Sequence, residues 1–279
     1  MRVVSLAFAV LVASAGTARA GETRCWVDRG VLVVPAAFGD VAGDFILDLS
    51  SAKSVLHVDA ALSDGIETAQ STGTLRLAGE SIPATLQVAS LDARTLGLPS
   101  TIMGLVGADA LSGYVVDIRF DPCRVRLWRG RAPRFHATAT LSIQMTEGVP
   151  AIRATISDGR TALAGRFAID TGTPAVRLSA QVAALGRPPA KGVDPASRLD
   201  PPARLDALGL AGEAQRRLPA ALEDDLPATL TGGIGVAAWA RYDVRIDLVR
   251  NEVQLAPPDR GVSGRRSARS RGSFRRGAR

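Results

Sequence analysis

Phe45-Ile-Leu-Asp48-Leu-Ser-Ser51 and Phe167-Ala-Ile-Asp170-Thr-Gly-Thr173 are two versions of one phrase. In each, an apolar run ends in an aspartate and small hydroxylated residues follow. A leucine stands eight residues beyond each aspartate, Leu56 and Leu178. Further on, Gly104-Leu-Val-Gly107 recurs as Gly232-Gly-Ile-Gly235, and seven residues after the last glycine of each comes a tyrosine, Tyr114 and Tyr242. Over 104–127 and 232–255 the offset stays at 128 and 8 of 24 positions are identical, where chance would give one or two. The chain is therefore a tandem repeat, and any site built on the aspartates is built twice.

Both halves are mostly β. Val31–Ala37 and Phe45–Asp48 are apolar runs separated by Gly39, Asp40 and Gly43, the pattern of a hairpin. Leu75 and Leu77 alternate towards Gly79-Glu80, and Ala84, Leu86 and Val88 alternate away from it. Asp121-Pro122 and Arg250-Asn251 are turns between closing strands. Short helices fit Ala108–Ser112 and Val236–Ala240, after the double-glycine elements. A Pro-rich stretch from Gly186 to Pro202 reads as an irregular insertion, followed by a short helix near Arg204–Ala207. With seven Phe, three Trp and two Tyr in 279 residues, the core must be built of Val, Leu, Ile and Ala. The halves span 21–130 and 131–258.

The ends differ from the body. Arg2, an apolar run from Val3 to about Ala15, and Ala18-Arg-Ala20 make a secretory leader, 1–20, cleaved after Ala20; the other reading is an uncleaved anchor. An exported chain, periplasmic or secreted, with two cysteines suggests one disulfide, Cys25–Cys123; two buried thiols are the alternative. The net charge of +7 belongs to the ends. Residues 260–279 hold eight arginines and no acid, and 21–259 hold 24 basic against 27 acidic residues. No nucleic acid is expected for that body. The tail, 259–279, is expected to be disordered and able to contact an anionic surface. Two histidines and two cysteines nearly exclude a four-ligand zinc site, and no Gly-rich loop ends in Lys-Ser/Thr. No metal and no cofactor is expected; His57 reads as structural, and His136 has no recognisable partner.

One aspartate after a strand is ordinarily a turn residue. Two at matched places in a duplicated fold meet at its two-fold axis. There two close carboxylates share a proton, one acting as base on a water while the other donates to a carbonyl oxygen. With these residues the chain resembles the bacterial retropepsin-like aspartic proteases in a fused, two-lobed, pepsin-like form. Asp170-Thr171-Gly172-Thr173 matches that family's Asp-Thr-Gly-Ser/Thr signature, and Leu105-Val106-Gly107 and Gly233-Ile234-Gly235 stand where it has two apolar residues and a glycine. The second copy has Gly233 in place of an apolar residue.

The resemblance implies two homologous β-barrel-like aspartic-protease lobes with short helices, and a monomeric endopeptidase whose catalytic residues are Asp48 and Asp170. Ser51, Thr171, Gly172, Thr173, Gly107 and Gly235 would support the catalytic loops. A flap is expected over Gln70–Gly79, with Thr72-Gly73-Thr74, and the partner is a peptide or protein substrate. The first lobe departs from the signature at Leu49 and Ser50. Leu49 cannot make the inter-lobe hydrogen bond of the family's threonine, and Ser50 stands where a glycine tolerates unusual dihedrals. Those departures support the alternative of an inactive protein of the same fold that binds peptides or serves as a structural envelope protein.

Overall fold

The computed structural model describes residues 19–179, 203–223 and 226–259. The leader before Arg19, the insertion 186–202 and the tail from 260 lie outside the described residues. The first half forms β1 (Arg19–Arg24), β2 (Trp26–Asp28), β3 (Val31–Phe38), β4 (Val41–Leu47), β5 (Val55–His57), helix α1 (Val58–Ser63), β6 (Gln70–Leu77), β7 (Glu80–Ala89), α2 (Asp92–Thr95), β8 (Ile102–Val106), α3 (Ala108–Leu111), β9 (Tyr114–Phe120) and β10 (Cys123–Arg129). The second forms β11 (Ala139–Ser142), β12 (Gln144–Thr146), β13 (Val149–Ser157), β14 (Ala162–Ile169), β15 (Val176–Ser179), β16 (Ala203–Leu210), β17 (Glu213–Glu223), β18 (Gly232–Ile234), α4 (Val236–Trp239), β19 (Asp243–Asp247) and β20 (Glu252–Ala256).

The repeat is a repeat of topology. One sheet runs β2-β3-β4-β8-β5-β7-β6 and closes through β3–β6; the other runs β12-β13-β14-β18-β15-β17-β16 and closes through β13–β16. Each is a small barrel of period-2 strands. Along β3, seven of eight residues are buried hydrophobics on or beside the first barrel's core, including Leu32, Val33 and Val34 at 0% exposure, and only Pro35 is exposed. Closure removes the sheet edges that would otherwise invite pairing with another chain. A third sheet, β1-β10-β9-β19-β20-β11, joins strands of both halves. Val116, Ile118, Val125, Leu127, Val244, Ile246, Val253 and Leu255 bury its inner face in the core shared by both lobes.

Cys25 and Cys123 form a disulfide across 98 residues, which pins the start of the first barrel to the third sheet. The short helices after the double-glycine elements are present as α3 and α4. Among the described residues no helix is long and apolar enough to cross a membrane.

Two expectations are corrected. Residues 204–207 are not helical but lie in β16, paired antiparallel with β17 around Ala211-Gly212. The three-residue step from Leu205 to Leu208 imitates a helix because the ladder skips Asp206 opposite Arg217, whose φ is 57°, so a local irregularity resets the alternation. The β6–β7 hairpin exists, but it is a barrel wall. Thr72, Gly73 and Thr74 lie within β6, where Thr72 bonds Thr85 (2.9 Å) and Gly73 backs onto the Phe38 ring. Its turn, Ala78-Gly79, lies against Gly21 of β1. Strand β6 is paired with β3 on one side and β7 on the other, and the turn abuts Gly21, so the flap assignment is withdrawn.

Candidate active site

Strands β4 and β14 each deliver an aspartate to the seam between the lobes. The backbone repeats itself there: Asp48 N donates to Val106 O (3.0 Å) and Asp170 N to Ile234 O (3.1 Å). Ala108 N donates to Ser51 O (2.8 Å) and Val236 N to Thr173 O (2.9 Å). Gly107 and Gly235 let the double-glycine elements close on these loops, since a Cβ on either would meet loop carbonyls. Both aspartates are 0% exposed. The loops touch across the seam: a Cβ on Gly172 would lie 2.5 Å from Asp48 Cγ, so only glycine fits at 172.

One half of the inter-lobe brace is intact. Thr171 Oγ1 donates to Leu47 O (2.6 Å) and accepts from Leu49 N (3.2 Å). The opposite half is apolar, because the Leu49 side chain is buried in the shared core. Thr171→Val would leave Leu49 N unpaired in a buried place and is expected to cost about 1–3 kcal/mol, measured by urea denaturation.

What surrounds the carboxylates departs from the expected pair. Arg94 of α2 donates to Asp48 Oδ2. Arg177 of β15 donates through Nε to Asp170 Oδ2 (2.5 Å), through Nη1 to Glu223 (2.5 Å) and through Nη2 to Ser50 Oγ (2.8 Å). Ser50 in turn donates to Asp48 Oδ1 from Oγ (2.6 Å) and from its backbone N–H (2.8 Å). Asp170 also accepts from Gly172 N (3.0 Å) and Thr173 Oγ1 (2.7 Å). A continuous path thus runs Arg94–Asp48–Ser50–Arg177–Asp170. Ser51, expected beside Asp48, instead turns its hydroxyl to Lys53 O; the hydroxyl on Asp48 is that of Ser50, which keeps a negative φ.

The two lobes show how Arg177 was accommodated. In the first, β5 pairs with β8 through Val55 opposite Leu105; in the second, β15 pairs with β18 through Arg177 opposite Gly233. An apolar pair has become an arginine and a glycine at the same register. A Cβ at 233 would stand 3.3 Å from Arg177 Nε and from Asp170 Oδ2, so Gly233 frees the space in which the guanidinium meets the carboxylate. Arg94, Arg177 and Glu223 are residues that the sequence reading did not single out. His57, read as structural, contacts Asp92 at 3.3 Å and so fastens the α2 segment that carries Arg94.

Burial pushes the Asp48 carboxyl up, but Arg94, Arg177 and the two Ser50 hydrogen bonds outweigh it and hold it below the usual carboxylate range. Arg177 is also opposed by burial, and Asp170, Glu223 and Asp48 reverse this, raising it above an ordinary arginine. A carboxyl whose folded pKa is depressed stabilises the fold above its unfolded value, and that contribution fades as the pH falls through the folded one. Acidification below about pH 4 is therefore expected to lower Tm more steeply in the wild type than in Asp48→Asn, as measured by thermal melts from neutral to strongly acid pH.

No protein-family model matches the chain, and a search of the curated proteins finds no match. Among solved structures, the aspartic proteinase from Irpex lacteus is similar over 86% of this chain and 98% of its own, with a TM-score of 0.51 and 15% identity. The fold is that of a two-lobed aspartic protease. No group of three or more His, Cys, Asp or Glu among the described residues could hold a metal ion.

Proposed function

We propose that this is an exported, peptide-binding protein on the aspartic-protease fold, a divergent relative of the bacterial retropepsin-like enzymes, whose aspartate pair does not hydrolyse peptide bonds. The observation that carries this reading is Arg177, seated between the lobes on Asp170 and tied through Ser50 to Asp48. Hydrolysis by a water between two aspartates requires the carboxyls to share one proton, so that one is acid while the other is base. Here each carboxylate instead accepts from a guanidinium, Arg94 on Asp48 Oδ2 and Arg177 on Asp170 Oδ2. The replacement of an apolar pair by Arg177 and Gly233, with Ser50 where a glycine is usual, makes this a matched set of changes.

Peptide is the ligand class because the structural neighbour is a proteinase and both lobes flanking the seam are retained. Export is supported by the sequence of the leader and by a disulfide, which persists in oxidising compartments. The test is to pass a library of unstructured peptides over the mature protein at neutral pH and identify what is retained. A subset retained with intact ends is expected. Retention of none would refute peptide binding, and recovery of cut fragments would refute the non-hydrolytic reading.

A further inference from the structure

We infer that the outer face of the third sheet is a docking surface for an anionic phospholipid bilayer, formed by the folded body. The body's small negative net charge conceals how its charges are placed. Val125, Leu127, Val116 and Ile118 point into the core, so the alternate residues of β9 and β10 face outward. Directly opposed residues of antiparallel strands share a face. Arg24 opposes Arg124, and Arg124 opposes Arg119, so three arginines stand in one rung across β1, β10 and β9.

The neighbouring rung behaves differently. Glu22, Arg126, Asp117 and Arg245 follow one another across β1, β10, β9 and β19 with alternating sign. Arg245 bonds both oxygens of Asp117 (2.6 and 2.7 Å), and Arg126 bonds Glu22. That rung satisfies itself. In the first rung like charges lie opposite one another, an arrangement that is unfavourable unless an anion joins them. Arg124 shares Glu22 at 3.3 Å with Arg126, and Arg119 reaches Asp243 and Asp259 only at 3.5 and 3.4 Å. Among the described residues Arg24 and Arg134 form no ion pair, and both are exposed.

Arg119, Arg124, Arg126 and Arg134 line a cavity of about 230 Å³ together with Trp128 and Phe135. Arginines that hold phosphate oxygens beside an amphipathic tryptophan, here Trp128, are the chemistry of the headgroup layer. The chain also leaves the described residues on this face: Asp259 N bonds Asp243 and its carboxylate meets Arg119, and eight arginines follow in 260–279.

The test is sedimentation of the mature protein with phosphatidylglycerol-containing vesicles and with pure phosphatidylcholine vesicles, at low and high salt. It uses full-length protein, a chain ending at Asp259, and each of these carrying Arg24→Gln with Arg134→Gln. Neither arginine has an ion pair to lose among the described residues, so an unchanged Tm verifies the fold. Binding to the anionic vesicles alone is expected, weakened by salt, with a loss of about fivefold for each arginine removed, in the truncated chain as in the full one. No binding to anionic vesicles would overturn the inference. So would a truncated chain that no longer binds, or one that binds equally with and without the two arginines. Release by inorganic phosphate at matched ionic strength would assign the cavity to free phosphate instead, and would overturn the bilayer assignment.

Discussion

Arg177→Met is expected to destabilise the protein by about 3–5 kcal/mol, the cost of breaking a buried ion pair from one side. The guanidinium touches Asp170, Glu223 and Ser50 at once, and Asp170 is fully buried. Methionine occupies similar volume but offers no donor, so the cost is electrostatic and not that of a cavity. Urea denaturation at neutral pH measures it. Asp170→Asn in the same chain should recover much of the loss, because it removes a charge left without its counterion. A loss below about 1 kcal/mol would mean that the network contributes nothing that solvent cannot replace.

The second large effect is a rescue. Arg177→Val, Gly233→Leu and Glu223→Ala together rebuild in the second lobe what the first lobe has at the matching register, Val55 opposite Leu105 and Ala89 at the end of β7. Buried ionic clusters replaced by packed apolar groups are commonly neutral in stability or better. Asp170 keeps its charge without a counterion in the triple variant, so that variant is expected to stay less stable than the wild type, and adding Asp170→Asn is expected to bring it within about 1–2 kcal/mol of the wild type, several kcal/mol above Arg177→Met. The rescue isolates the reason for Gly233. Gly233→Leu alone, with Arg177 still present, should be destabilising, because its Cβ would stand 3.3 Å from both the guanidinium and Asp170. Equal stability of Gly233→Leu and the triple variant would show that the arginine and the glycine are independent.

The scaffold was legible in the sequence because duplication writes every constraint twice. Gly107 and Gly235, and the aspartates placed eight residues before Leu56 and Leu178, could be matched to each other without knowing the fold. The disulfide followed from an even cysteine count. The charge network was less legible, because its members come from separate segments: Arg94 lies 46 residues from Asp48, and Glu223 lies 46 from Arg177. Local pattern carries no information about such contacts. Arg177 did leave a trace, a charged residue between Val176 and Leu178 where the first lobe has Val55, and Gly233 was noticed without its partner. Comparing the halves for complementary changes in volume would have joined the two. The flap assignment failed for a different reason. It was carried over from the resemblance onto Gln70–Gly79, whereas the Phe38 ring lies 3.2 Å from where a Cβ on Gly73 would be, so packing inside the barrel explains that glycine.

The central claim is that two arginines keep Asp48 and Asp170 from acting as a proton-sharing pair. Its most direct test is the rate of cleavage of a peptide library by the mature protein across the acid and neutral range, with Asp48→Asn and Asp170→Asn as controls and with a statine-type inhibitor. The predicted result is no cleavage above that of either control at any pH, and no effect of the inhibitor. Cleavage that the inhibitor stops and that either substitution abolishes would contradict the claim and restore the catalytic pair.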